Sequence, residues 1–236
     1  MNGLLVRVGA DLSAGGGSWN GPVDSQTGEF TYVAIPEGSP VHAGLEKPYA
    51  ALMPALARFG VSLPAHLAGR HMHLDPDFDH LTYGDRGGRA KQLRGNLRSG
   101  DLVVFYAGLA DTRGASQLVY ALIGLFVVDS FVLAADISVR DRNLNAHSRR
   151  ILATGSQDLV VRGRPGSSGR LRRCLPIGEY RDRAYRVKKG LLEDWGGLSV
   201  RDGYLQRSAR LPRLLNPAQF MHWLEKQRTS LIQTNN

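Results

Sequence analysis

The sequence predicts an α+β protein with a mixed or barrel-like β core, peripheral helices and a carboxyl-terminal helix. Three observations carry that expectation. Two apolar runs, Leu102–Leu109 and Leu118–Val128, are joined by a mostly polar loop, as in a hairpin whose strands are buried on both faces. Short β-rich runs at Leu4–Val8 and Phe30–Ile35 supply further strands, the second stopped by Pro36. Near the carboxyl end, Asn216 precedes Pro217, and Phe220, Trp223 and Leu224 recur at helical spacing, so a capped amphipathic helix starts at Pro217.

Taken in order, the first strand runs into a glycine-rich segment, Gly9–Ser18. Its backbone amides are suited to cradling a phosphate, with Asp11, Ser13, Gly15 and Gly16 at its mouth, or they form a plain flexible turn. No Gly-Lys-Ser/Thr follows and the dinucleotide spacing is missing, so neither nucleotide fingerprint applies. Ala50–Phe59 reads as a short helix interrupted by Pro54. Arg86–Arg98 reads as a helix or turn whose five cations pair with nearby acids or hold phosphates. The tail from Thr229 is expected to fray.

The 236 residues fit one domain, 1–236, with a basic carboxyl-terminal elaboration from about residue 138. A hydrophobic content of 42% allows a sizeable core. The net charge of +9 favours a polyanionic partner, nucleic acid before membrane, although a basic surface alone says little about function. Between Ser138 and Arg213, basic side chains outnumber acidic ones by about eleven, more than the surplus of the whole chain. Within this region the loop bearing Arg164, Arg170, Arg172 and Arg173 suits phosphates. Tyr180, Tyr185, Trp195 and Tyr204 lie among the cations, placed to stack on bases or to fill the core. Cys174 is the sole cysteine, which excludes an intrachain disulfide and a thiolate metal cage. Met1–Val8 is too short for a signal peptide. The apolar run Leu118–Ala135 is broken by Asp129 and Ser130, so no membrane span and a cytoplasmic location are expected.

The densest polar stretch is His71–His80, with three histidines and three aspartates in ten residues, followed by Tyr83-Gly84-Asp85. Three readings fit it. His-x-His-x-Asp matches the opening of the metallo-β-lactamase pattern and would suit a metal-dependent hydrolase. Pro76, however, stands where another histidine is needed, and the sequence reading assigns no metal ligand. Alternatively His73, Asp75 and Asp77 act as acid/base or hydrogen-bonding groups on a base. In the third reading these side chains only cap turns.

Asp11-Leu12-Ser13-Ala14-Gly15-Gly16, His73-Leu74-Asp75-Pro76-Asp77, Tyr83-Gly84-Asp85, Gly100–Tyr106, the strand Leu118–Val128, His147, Gly169-Arg170 and Leu211-Pro212 together resemble the nucleotide modification associated domain 3 family. That resemblance covers most of the chain and implies a setting of DNA-base or nucleotide modification. A weaker similarity, in the Gly-Asp turn and the strand ending Phe105-Tyr106, is to PUA-like β-barrels, and it implies a reader of modified bases without catalysis. The combined expectation is a protein that binds nucleic acid, DNA rather than RNA, or a nucleotide. It names no cofactor. Catalytic candidates are His73, Asp75 and Asp77. Nucleotide contacts are Asp11, Ser13, Gly15, Gly16, Tyr83, Gly84 and Asp85, and phosphate contacts are Arg164, Arg170, Arg172 and Arg173.

Overall fold

A computed structural model describes residues 1–10, 12, 19–114, 117–205 and 210–236. In chain order the elements are β1 (Gly3–Arg7), β2 (Gly21–Val23), β3 (Ile35–Pro36), α1 (Met53–Ala57), β4 (Met72–His73), β5 (Thr82–Asp85), α2 (Gly87–Asn96), β6 (Leu102–Asp111) and β7 (Leu118–Leu133). There follow α3 (Ala146–Arg149), β8 (Leu159–Gly163), β9 (Gly169–Pro176), β10 (Gly178–Arg181), β11 (Ala184–Val187), α4 (Lys189–Asp194), α5 (Pro217–Lys226) and β12 (Leu231–Ile232).

The expected hairpin is the spine of the fold. β6 pairs antiparallel with β7 and parallel with β1, and a bulge lies between Phe105 and Tyr106. β7 outruns its partner. Its first part also pairs with β9 and its last part with β8, which carries β5 on its far side. The result is a mixed sheet, in the order β1-β6-β7-β8-β5 with β2, β9 and β12 alongside, and no closed barrel forms among the described residues. The α+β class holds, with the mixed-sheet version of the core.

Strand alternation divides the hydrophobic interior. Val103, Phe105, Ala107 and Leu109 of β6 face a core with Phe78, Tyr83 and Phe126. Leu102, Val104 and Tyr106 face a second core built on Trp195, Phe220 and Trp223. β6 is therefore buried at every step from Leu102 to Leu109, as expected of a central strand. Phe78 meets Phe105, Phe126 and Tyr32 edge-on, with centroids 5.8, 5.7 and 5.7 Å away. It seats the middle of the His71–His80 stretch in the first core.

Local outcomes differ from expectation in three places, and a fourth, Trp195, resolves to the core alternative. Phe30–Ile35 is not one strand: Phe30–Ala34 is a buried extended segment held by a bridge from Phe30 to Val23 and by backbone bonds from the Thr31 amide to Pro22 and from the Ala10 amide to Val33, and Ile35 enters the short β3. The helix expected at Ala50–Phe59 begins as a 3-10 turn at Tyr49–Leu52, because Pro54 is tolerated only in the first turn of the α1 that follows. Trp195 is a fully buried core residue and so has no face for a base, whereas Tyr180 is exposed. The tail does not fray. β12 pairs with β9, and Asn236 Oδ1 accepts from the Tyr32 amide at 2.7 Å. The cap of α5 forms as expected, with Asn216 Oδ1 accepting from the Gln219 amide at 3.1 Å. Among the described residues no helix is long and apolar enough to cross a membrane.

Candidate functional site

The two ends of the His71–His80 stretch face different ways. β4 pairs with β3, which brings His73 opposite Ile35 and close to Glu37. Two residues later the Asp75 carboxylate turns under β5. It accepts the Gly84 amide at 2.8 and 3.0 Å and the Asn145 side-chain amide at 3.0 Å. Asn145 is fully buried and joins three elements. It caps α3 by accepting from the His147 amide at 2.8 Å, and its Nδ2 reaches both Asp75 and Thr82. The cap aims His147 back at Asp75. Gly84 makes room for this arrangement: a Cβ there would stand 2.3 Å from His147 Cδ2 and 2.7 Å from Asn145 Oδ1.

Two imidazoles thus converge on one carboxylate. Nε2 of His73 and of His147 lie 3.9 and 3.7 Å from Asp75 Oδ2, and the two rings meet edge-on at 4.9 Å. The opposite ring nitrogens are fixed. His73 Nδ1 lies 2.7 Å from Glu37 Oε2, and His147 Nδ1 lies 2.6 Å from Asp158 Oδ2. Burial works against the charge on Glu37, but hydrogen bonds from His73 and Arg150 outweigh it and hold the carboxyl down at about 2. The hydrogen bond from His147 likewise lowers the Asp158 carboxyl. An ionised carboxylate can only accept, so each Nδ1 carries a proton and each Nε2 is the ring nitrogen turned toward Asp75. Burial lowers His73 to about 4 despite Glu37. Burial also raises Asp75 to about 7, against the pull of His147, Gly84 and Asn145.

These groups form the floor of a cleft of about 320 Å³. Its walls include Val8 and Gly9 at the end of β1, Tyr83 and Tyr106, and its cationic lining is Arg7, Arg86, Arg89, Arg150 and Arg210. Several of these arginines are held in place. Arg89 Nε lies 2.9 Å from Asp85 and its Nη2 donates to the Tyr83 hydroxyl at 2.9 Å. Arg150 donates through Nε and Nη2 to Glu37 Oε1 at 3.0 and 2.8 Å, and Arg7 donates to the Tyr120 hydroxyl at 2.7 Å.

Of the residues expected from sequence, His73, Asp75, Tyr83, Gly84 and Asp85 line this cleft. Asp77 does not. Its carboxylate is buried on the other side of the loop, paired with Arg149 and with His80 Nδ1 at 3.1 Å, and it accepts from Asn235 at 3.1 Å. Arg164, Arg170, Arg172 and Arg173 also lie away from the cleft. Arg170 is buried over the Phe30 ring, and Arg172 donates to Ser230 Oγ at 3.1 Å. Asp11, Ser13, Gly15 and Gly16 lie outside the described residues. The sequence reading gave no site role to Glu37, Asn145, His147, Arg150 or Asp158. Of these only His147 carried a signal, through the family resemblance.

The sequence model of the nucleotide modification associated domain 3 family matches residues 2–214. No curated protein and no solved structure matches the chain.

Proposed function

Because the chain belongs to the nucleotide modification associated domain 3 family, we propose that its cleft binds a nucleotide, free or within a DNA strand. In this reading the phosphate lies on the arginine rim and the base points to the His73–Asp75–His147 floor. One observation carries it: five arginines line a cleft whose buried end holds two imidazoles and a carboxylate. Guanidinium groups fit phosphate oxygens in pairs, and fixed ones lose little freedom on binding. A carboxylate and two imidazoles offer a base both acceptors and donors. The volume sits at the lower end of the range for small-molecule sites, about 300 Å³, which suits one nucleotide unit. Base flipping or a single-stranded substrate would deliver such a unit from DNA.

Fluorescence anisotropy with labelled single- and double-stranded DNA, read across a salt series, tests the proposal. Each phosphate neutralised on a single strand contributes about −0.7 to the log–log slope, so three to five contacts give about −2 to −3.5. Arg86→Glu should weaken binding and flatten that slope. Affinity that ignores salt, or Arg86→Glu binding as tightly as the parent, contradicts it. A variant such as Asp75→Asn that keeps salt-dependent DNA binding but loses base discrimination places recognition at the floor.

A further inference from the structure

We infer that His73, Asp75 and His147 form a binding site for one divalent first-row transition-metal ion, with its open coordination positions facing the cleft. The three side chains are buried and offer Nε2, Oδ2 and Nε2 atoms that all lie within 4.8 Å of one another. A four-coordinate ion with bonds of about 2.1 Å needs donors about 3.4 Å apart. The observed 3.9 and 3.7 Å to Asp75 Oδ2 therefore require a few tenths of an ångström of closure on those two edges, and the two imidazoles, already within 4.8 Å, close on the ion as well. These spacings are also too long for hydrogen bonds. Neither Nε2 is hydrogen-bonded among the described residues, although both rings are buried.

The outer shell points the same way. Each imidazole gives its Nδ1 to a carboxylate, His73 to Glu37 and His147 to Asp158, which fixes the tautomer and the ring plane that a metal-bound histidine needs. The third donor is oriented as well, since Gly84 and Asn145 hold the Asp75 carboxylate. Two imidazoles and one carboxylate select a borderline ion such as zinc, manganese, iron or cobalt over calcium or magnesium. Three protein ligands leave coordination positions for water or a substrate atom, and these open onto the arginine-lined cleft. The neighbouring His80–Asp77 pair offers no comparable set, because Arg149 already occupies the Asp77 carboxylate. The inference rests on the donor geometry and does not require a nucleotide in the cleft.

The full-length chain, stripped with a chelator, is titrated with zinc and with cobalt in the absence of nucleotide. Calorimetry and elemental analysis should give one equivalent, and cobalt should develop ligand-field bands that zinc abolishes. His73→Ala and His147→Ala should each lower affinity by at least about a hundredfold. Glu37→Gln and Asp158→Asn, which act through the imidazoles, should lower it about 10- to 100-fold at unchanged stoichiometry. His80→Ala should bind as the parent does. Circular dichroism melts establish that each variant is folded. If the alanine variants do not fold, nitrogen NMR of the parent decides, because zinc should shift the Nε2 resonances of His73 and His147 and leave that of His80. No stoichiometric binding by the folded parent overturns the inference. So does binding that survives both alanine substitutions, or zinc shifts confined to other histidines. Salt-dependent DNA binding measured in chelator fails or succeeds separately, so the metal site and the nucleotide reading are distinguishable.

Discussion

Asp75 and Asp77 are two residues apart in one loop, yet their carboxylates face opposite sides of it and meet different partners. Asp75 is buried with no arginine or lysine paired to it among the described residues, two imidazole nitrogens stand 3.7 and 3.9 Å away, and it sits on the floor of an arginine-lined cleft. Asp77 is buried in a closed network of Arg149, His80, Asn235 and the Thr82 backbone. The first is held in place but left open on one side. The second has its bonding capacity used up within the protein. Charge density in sequence marks the loop and does not separate the two roles, because the separation comes from what each carboxylate meets across the fold.

The sharpest way to break this comparison is Arg149→Ala. It leaves Asp77 buried without its cation and should cost about 3–5 kcal/mol in urea denaturation. Asp75→Asn should cost about 1 kcal/mol, since the amide oxygen can still accept from Gly84 and Asn145 and no ion pair with an arginine or lysine is broken. Equal losses would mean that Asp75 is as structural as Asp77.

Gly84→Ala probes the cleft side alone. Its Cβ would overlap His147 and Asn145, so a destabilisation of about 1–3 kcal/mol should come with weakened DNA binding. An unchanged affinity would show that the His147 position does not matter to the ligand. Removing residues 233–236 probes the other side. Gln233 and Asn235 bond Asp79, Asn235 also bonds Asp77 and the Phe78 amide, and Asn236 bonds Tyr32. Truncation should cost about 1–3 kcal/mol and speed hydrogen exchange at residues 78–80, while protection at Gly84 persists. The smallest effect is expected at Cys174, which is remote from both networks. Burial raises its thiol to about 12, so alkylation at neutral pH should proceed only as fast as the protein opens.

Much of the fold was legible in the sequence because its signals are local. The apolar runs of β6 and β7 specify a buried hairpin, and Asn216-Pro217 with the Phe220, Trp223 and Leu224 stripe specifies α5. Phe30–Ile35 was misread because a buried extended segment and a strand share the same residue preferences, and only the partner distinguishes them. The tail was misread for a similar reason: its asparagines look solvent-seeking until Asp79 and Tyr32 are opposite them. Two of the three floor residues, His73 and Asp75, were visible in the loop itself. The third, His147, was signalled only by the family resemblance, since it lies more than seventy residues on and its orientation depends on the Asn145 cap. Glu37 and Asp158 belong to other segments again, and nothing local ties either one to a histidine.

The central claim is that the inward end of the loop meets the ligand and the outward end does not. Histidine side-chain NMR during a titration with a mononucleotide or a short single-stranded DNA tests it most directly. The His73 and His147 resonances should move with a shared saturation curve, while His80 stays fixed. Movement of His80 with His73 and His147 unchanged would contradict it.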